Sequence, residues 1–331
     1  MNQISIIGLT PASVSLGLSL KKLHIKNTDI IAFSTDTQKS KTVRNMQAFD
    51  LITDNTEKAF QNAQLIFIDQ PLSDLKESFE SIANLTLGDS IVTDFSSSKK
   101  LTSKWAKDIL PGHISYVPAR PLLKKNNPDL QDATIDDFQG IKYCVMESAE
   151  TSNESLQIMI KLIESLGAIP YFLDLNEHDS YSAAMEYLPP LVATALMNTT
   201  SKSDAWKEMN KFNSYNFDTQ TALSNNDPLD NEIGCISISE PLIYWIDQMI
   251  TSLYSIRNNI DSETDNLLEY FIHGWEQRGR LDAGLVNNHP SGPDIPSSAQ
   301  SIASTFFGDK IAKRMSSEGH IRNRKTWQYP R

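Results

Sequence analysis

Residues Ile4 to Leu20 read ISIIGLTPASVSLGLSL: a short apolar run, a turn, then an apolar-periodic segment. Strand, tight turn and helix in that order open a Rossmann unit, and they commit the chain to a parallel sheet with crossover helices. A G-x-G-x-x-G turn uses its first glycine for the tight turn and its second for close approach of a pyrophosphate. The third lets helix and strand pack closely. Here the three places hold Gly8, Thr10 and Ser13, with Pro11 between them. Thr10 brings a side chain to the point where a phosphate enters. The scaffold of a nucleotide site is present, with its phosphate grip in question.

The alternation continues to about residue 170. Strands are expected at Ile4–Gly8, Asp29–Phe33, Leu65–Asp69, Ser90–Asp94, His113–Pro118, Lys142–Met146 and Ile169–Leu173. Helices are expected at Pro11–Leu23, Thr37–Met46, Asn55–Asn62, Leu72–Asn84, Lys99–Ile109 and Glu154–Leu166. After Asp174 the pattern turns helical: Glu177–Asn198, interrupted by Pro189–Pro190, then Pro241–Asp261 and Ser262–Gln277. Segments this apolar pack as a bundle or a dimer interface. The fold class is therefore α/β, a Rossmann-type doubly wound parallel sheet followed by an all-helical dimerisation and substrate domain. Its expected domains are residues 1–173, residues 174–285, and a last part, 286–331. That last part holds a Pro/Gly/Ser/Asn linker (Val286–Ser298), a short helix (Ala299–Ser316) and a basic tail.

Charge and cysteine use narrow the function. A net charge of −11 argues against general nucleic-acid binding. Between Ser301 and Arg331, however, seven Lys or Arg face only Asp309 and Glu318. That stretch reads as a solvated or docked tail, with an RNA or membrane contact as the other reading. No apolar run approaches the ~20 residues of a membrane span, and Met1–Ser5 does not begin like a signal peptide. A cytoplasmic location is the expectation. Cys144 and Cys235 lie in apolar segments and read as buried free thiols. Six scattered histidines show no metal-ligand spacing, so no metal is expected.

Several positions point to a cofactor cleft. The second strand ends in Ser34-Thr35, where an NAD-selective site carries Asp or Glu for the ribose. With Lys39 and Lys41 downstream, this pair tolerates a 2′-phosphate and favours NADP over NAD; it reads equally well as a loop without a ligand. Pro71 follows the Leu65–Asp69 strand and shapes the loop on the nicotinamide side. In Thr93-Asp94-Phe95-Ser96-Ser97-Ser98-Lys99, Ser97 can bond a substrate carboxylate or hydroxyl, or Ser96–Ser98 can simply cap the helix.

These motifs together resemble the prephenate/arogenate dehydrogenase family, which makes the tyrosine precursor by NAD(P)-dependent oxidative decarboxylation. Gly8–Leu16 stands at the family's glycine-rich turn, and Thr93–Lys99 resembles its T-D-V-G-S-V-K. Pro118-Ala119-Arg120-Pro121-Leu122-Leu123-Lys124 matches a motif resembling G-G-H-P-M-A-G. Glu177-His178-Asp179 and Tyr187-Leu188-Pro189-Pro190 match a pattern resembling E-H-D-x-x-x-A-x-x-S-x-L-P-H. The resemblance runs from about residue 3 to 275, in order and spacing. It implies a homodimer through the helical domain and a small anionic substrate. By the same resemblance Gly8, Thr10, Ser13, Ser34, Thr35 and Pro71 line the cofactor, Ser97 and Arg120 stand at catalytic positions, and Lys99 and His178 face substrate.

The departures fall on the chemistry. The family's histidine, which takes the proton from the substrate's ring hydroxyl as hydride leaves, is Arg120 here. A guanidinium stays protonated at any relevant pH and cannot be a base. The histidine after Leu-Pro is Pro190, and a segment resembling F-R-D-x-T-R is Phe217-Asp218-Thr219-Gln220-Thr221-Ala222, without either arginine. His113 lies at the far end of the sheet, and His178 reads as structural more than catalytic. Three functions stay open: an NAD(P)-dependent dehydrogenase of prephenate, arogenate or a related acid; a non-catalytic binding or regulatory relative; and a different chemistry that uses Arg120 as an anion anchor.

Overall fold

The computed structural model describes residues 2–123, 129–148, 151–261 and 266–285. The expected linker, the Ala299–Ser316 helix and the basic tail lie outside the described residues. The chain divides into two compact units, Met1–Ser252 and Leu253–Arg331.

In the first unit, six parallel strands form one sheet: β1 (Asn2–Ile7), β2 (Thr28–Phe33), β3 (Leu51–Thr53), β4 (Ala63–Ile68), β5 (Ser90–Asp94) and β6 (Ile114–Tyr116). Their order is β3-β2-β1-β4-β5-β6. The order reverses between β1 and β4, so a crevice forms outside the carboxyl ends of those strands. The intervening helices are α1 (Pro11–Lys22), α2 (Thr37–Arg44), α3 (Thr56–Phe60), α4 (Leu72–Leu85) and α5 (Lys99–Ile109).

Because side chains alternate across a strand, the apolar runs feed two cores. Ile4, Ile6, Leu65 and Phe67 join Leu16 and Leu20 of α1 on one face. Ile7, Ile66 and Ile68 join Leu75, Phe79 and Ile82 of α4 on the other. Their continuous apolar runs are what marked these segments in the sequence.

Two features of the sheet depart from the sequence reading. Strand β3 was not expected, since three half-exposed residues are too few to show a period. The Lys142 segment does not join the main sheet. As β8 (Lys142–Val145) it pairs antiparallel with β7 (Ala119–Pro121) and parallel with β9 (Ile169–Phe172). Strand β7, with Arg120 and Pro121 in three residues, is an edge strand whose composition hides it. Helix α6 (Asn153–Ser165) and this small sheet cover the first core.

Beyond β9 the described residues are mainly helical: α7 (Leu175–Ser182), α8 (Leu188–Ser201), α9 (Trp206–Met209), α10 (Tyr215–Thr221), α11 (Pro228–Ser237) and α12 (Ser239–Asp261). Helix α13 (Asn266–Asp282) lies in the second unit. Contrary to the sequence reading, Pro189 and Pro190 do not interrupt a helix. They occupy the first turn of α8, where a missing N–H is harmless, and the break before them is a π-turn at Ala183–Tyr187. Both cysteines are free thiols; Cys144 is buried as expected, whereas Cys235 is only half-buried. Among the described residues no helix is long and apolar enough to cross a membrane, and no side-chain cluster could hold a metal ion.

Candidate functional site

At the first crossover, Gly8 sits at φ +100°, a conformation that favours glycine. A Cβ there would also strike the Asp69 carbonyl, because the Asp69 N–H donates to the Ile7 carbonyl at 2.8 Å. The first glycine of the motif is thus retained for a steric reason. Thr10 and Ser13 close a capping box: the Thr10 N–H donates to Ser13 Oγ at 2.8 Å, and the Ser13 N–H to Thr10 Oγ1 at 3.2 Å. Pro11, at the first helical position, has no N–H to offer. The Thr10 hydroxyl donates to Asp69 Oδ2, and the Ser13 N–H also bonds that carboxylate. Burial pushes the Asp69 carboxyl up to about 6, against the lowering effect of Thr10, Ser13 and the Lys39 charge. Asp69 was visible as a carboxylate one step beyond the fourth strand, but nothing in its spacing gave it a role.

Ser34 is half-buried and Thr35 exposed at the end of β2. Ser34 Oγ accepts the Asp36 N–H at 3.1 Å, while Asp36 Oδ1 accepts the Gln38 and Lys39 N–H groups at 2.9 Å each. Asp36 is thereby committed to capping α2. Asp36→Ala is expected to destabilise by about 1 kcal/mol in a urea titration. A loss below a few tenths would show that the cap does not matter. Pro71 stands exposed at the start of α4.

The end of β5 is a sealed polar network. Lys99 is fully buried, and its Nζ donates to the Asp94 carbonyl at 2.6 Å and to Asp94 Oδ1 at 2.8 Å. Asp94 Oδ2 accepts from the Tyr116 hydroxyl, and Oδ1 also accepts the Ser96 N–H at 2.9 Å. Burial opposes the Asp94 charge, but Lys99 with the Ser96 and Tyr116 bonds holds its carboxyl below the ordinary value. The ammonium that sequence placed against substrate is therefore turned inward.

The serine run does not cap α5 either. Asp179 of α7 does so, its Oδ1 accepting the Lys99 N–H at 2.8 Å and its Oδ2 the Lys100 N–H at 3.0 Å. Ser97 Oγ instead donates to Tyr187 Oη at 3.2 Å, and Ser98 Oγ lies 2.6 Å from Ser237 Oγ.

The segment from α7 to α8 brings the remaining groups to this edge. His178 is 3% exposed, and its Nδ1 lies 2.9 Å from Asp179 Oδ1. Its Nε2 has no hydrogen-bond partner among the described residues, and burial lowers its pKa. The imidazole is thus held neutral. Two helical turns on, Glu186 Oε1 sits 3.1 Å from Nη2 of Arg120. A cavity of about 360 Å³ opens beside that pair, lined by Ser97, Glu186, Tyr187, Pro190, Asp227 and Asp230 among others. Burial pushes the Tyr187 hydroxyl up to about 12. The Ala222 segment forms α10 and a following 3-10 turn, and Ala222 itself is exposed.

Sequence reasoning named Ser97, Arg120 and His178 at this edge. It quoted Asp179 and Tyr187 in motifs without giving them a role and missed Glu186; their partners come from elements some 60 to 90 residues away.

The comparisons agree with this architecture. Residues 16–171 match the family described as prephenate dehydrogenase, nucleotide-binding domain, a match that begins after the Gly8–Ser13 turn. The prephenate dehydrogenase of Bacillus subtilis (strain 168) is 21% identical over 329 residues, covering 94% of this chain and 88% of its own length. Among solved structures, prephenate dehydrogenase from A. aeolicus in complex with hydroxyphenyl propionate and NAD+ superposes with a TM-score of 0.73 at 19% identity, over 85% of this chain and 98% of its own. Synechocystis arogenate dehydrogenase gives 0.64 at 19% identity, over 84% and 99%. Strand order, motif order and the match over residues 16–171 together identify the nucleotide-binding domain of the prephenate dehydrogenase family in this chain.

Proposed function

We propose that this chain keeps the ligand-binding scaffold of an NAD(P)-dependent prephenate/arogenate dehydrogenase without efficient oxidation of either acid. The observation that carries the reading is Arg120. Where the family places its base, the chain holds a guanidinium already paired to Glu186 at 3.1 Å. A permanent cation cannot accept the proton that must leave as hydride departs.

Three further features support it. Pro190, which lines the cavity, has no side chain able to bind a carboxylate, and Ala222 replaces an arginine. The cavity's own acids, Glu186, Asp227 and Asp230, suit a dianion poorly. At the turn, the Thr10 N–H is bonded to Ser13, Pro11 has none, and the Ser13 N–H serves Thr10 and Asp69. A pyrophosphate does not fit that turn as built, so Gly8, Thr10 and Ser13 hold an NADP or NAD cofactor weakly, with Kd around millimolar (~−4 kcal/mol).

A slow oxidoreductase is the second reading, favoured by the neutral His178 with its unpartnered Nε2 against Asp179. The partners we propose are a small anionic ligand at Arg120 and a second copy of the chain. The helical region exposes Ile243, Tyr244 and Ile236, a surface that suits such a copy.

The test is NAD(P)H production from prephenate and from arogenate by purified protein, together with fluorescence titration of NADPH. Near-background rates and millimolar binding are expected. Robust turnover would overturn the reading, and residual turnover abolished by His178→Asn would favour the slow enzyme.

A further inference from the structure

The turn that fails to fit a pyrophosphate is not bare. Two of its donors already hold an anion that belongs to the chain. The Asp69 carboxylate, brought from the end of β4, accepts the Thr10 hydroxyl and the Ser13 N–H at the N-terminal end of α1. That helix end carries the positive pole which, in a Rossmann unit, attracts the phosphates. We propose that Asp69 decides whether this turn takes a nucleotide: its carboxylate occupies the phosphate seat, and a dinucleotide binds only when that charge is removed or displaced. The inference rests on the nucleotide reading above and names the residue responsible for the weak grip.

The surroundings make the seat responsive to pH. The groups that face Asp69 are the Thr10 hydroxyl and Ser13 N–H of α1, the Lys39 ammonium of α2 and the Tyr143 phenol of β8. Tyr143 is buried and raised well above its ordinary value, first by burial and then by the Asp69 charge, so it stays neutral across the working range. Asp69, pushed up to about 6, changes charge between pH 5.5 and 8. Below its pKa the carboxyl is neutral and repels no phosphate. Above it, the bound phosphate must displace a like charge. Affinity for a dinucleotide should thus rise as pH falls.

Calorimetric titration with NAD+ tests this, because its pyrophosphate keeps a constant charge over that range. Wild-type protein is expected to bind NAD+ about tenfold or more tightly at pH 5.5 than at pH 8. Asp69→Ala is expected to bind at pH 8 as tightly as wild type at pH 5.5, and with no more than a twofold pH dependence. An Asp69→Ala protein that binds no better than wild type at pH 8, or that keeps the wild-type pH profile, would overturn the inference. Should the variant not fold, a flat wild-type profile overturns it alone. Robust prephenate turnover by wild type would instead strike the functional reading, so the two failures are separable.

Discussion

Wild-type protein given NAD(P)+ with prephenate or arogenate is expected to make NAD(P)H near background, and Arg120→His is expected to raise that rate. A positioned base contributes about 10²–10⁴-fold to such a step. Its absence sets the wild-type deficit, and its return sets the ceiling on recovery. The change also releases Glu186 from its 3.1 Å ion pair, at modest cost, because that carboxylate is 45% exposed. Recovery should stay at the low end, about 10²-fold, since Pro190, Ala222 and the Thr10 turn are unaltered. The restored rate should rise with pH through the imidazole range near 6.5, because only the neutral ring accepts a proton. An Arg120→His variant that binds cofactor and substrate yet stays at background would show that the missing base is not what silences the site.

The second large effect is on stability. Lys99→Met is expected to lower stability by about 3–5 kcal/mol, read from the urea midpoint, because it strands a buried carboxylate. Asp94 keeps its Tyr116 and Ser96 bonds, which do not neutralise its charge. The pH dependence follows from the same charge. In wild type the Asp94 pKa is depressed, so its contribution is present above the unfolded value of about 3.9 and is lost as pH falls through the folded value. In the variant the stranded carboxyl gains a proton easily, so the gap to wild type should shrink as pH falls toward 4. A deficit below 1 kcal/mol at pH 7 would mean that this pair does not secure the β5–α5 junction.

The fold was legible because its signals are local. Ile4, Ile6 and Ile7 stand in one short apolar run that can be seen without knowing that the first two face one core and the third the other. Strands β3 and β7 escaped because three residues carry no period, and β7 holds Arg120 and Pro121. The Lys142 run reads as any other buried strand, and only its pairing with β7 and β9 removes it from the main sheet.

The site was legible in part. Substitution at a known motif position is visible in the chain itself, which is why Thr10, Arg120, Pro190 and Ala222 could be singled out. What a substituted or retained side chain touches is not visible. Lys99 looked like a substrate contact and is the buried partner of Asp94. The serine run looked like a helix cap, yet Asp179, 80 residues on, does the capping.

By itself, then, the sequence determined the Rossmann architecture, the family resemblance and the presence of a guanidinium at position 120, since these depend on apolar patterning, motif order and side-chain type. Tertiary structure alone decided where the charges meet. It paired Arg120 with Glu186, folded Lys99 onto Asp94 and set Asp69 against Thr10 at the head of α1. Those partners lie 66, 5 and 59 residues apart, and apart from the Lys99 pair only the return of the chain across the sheet brings them together.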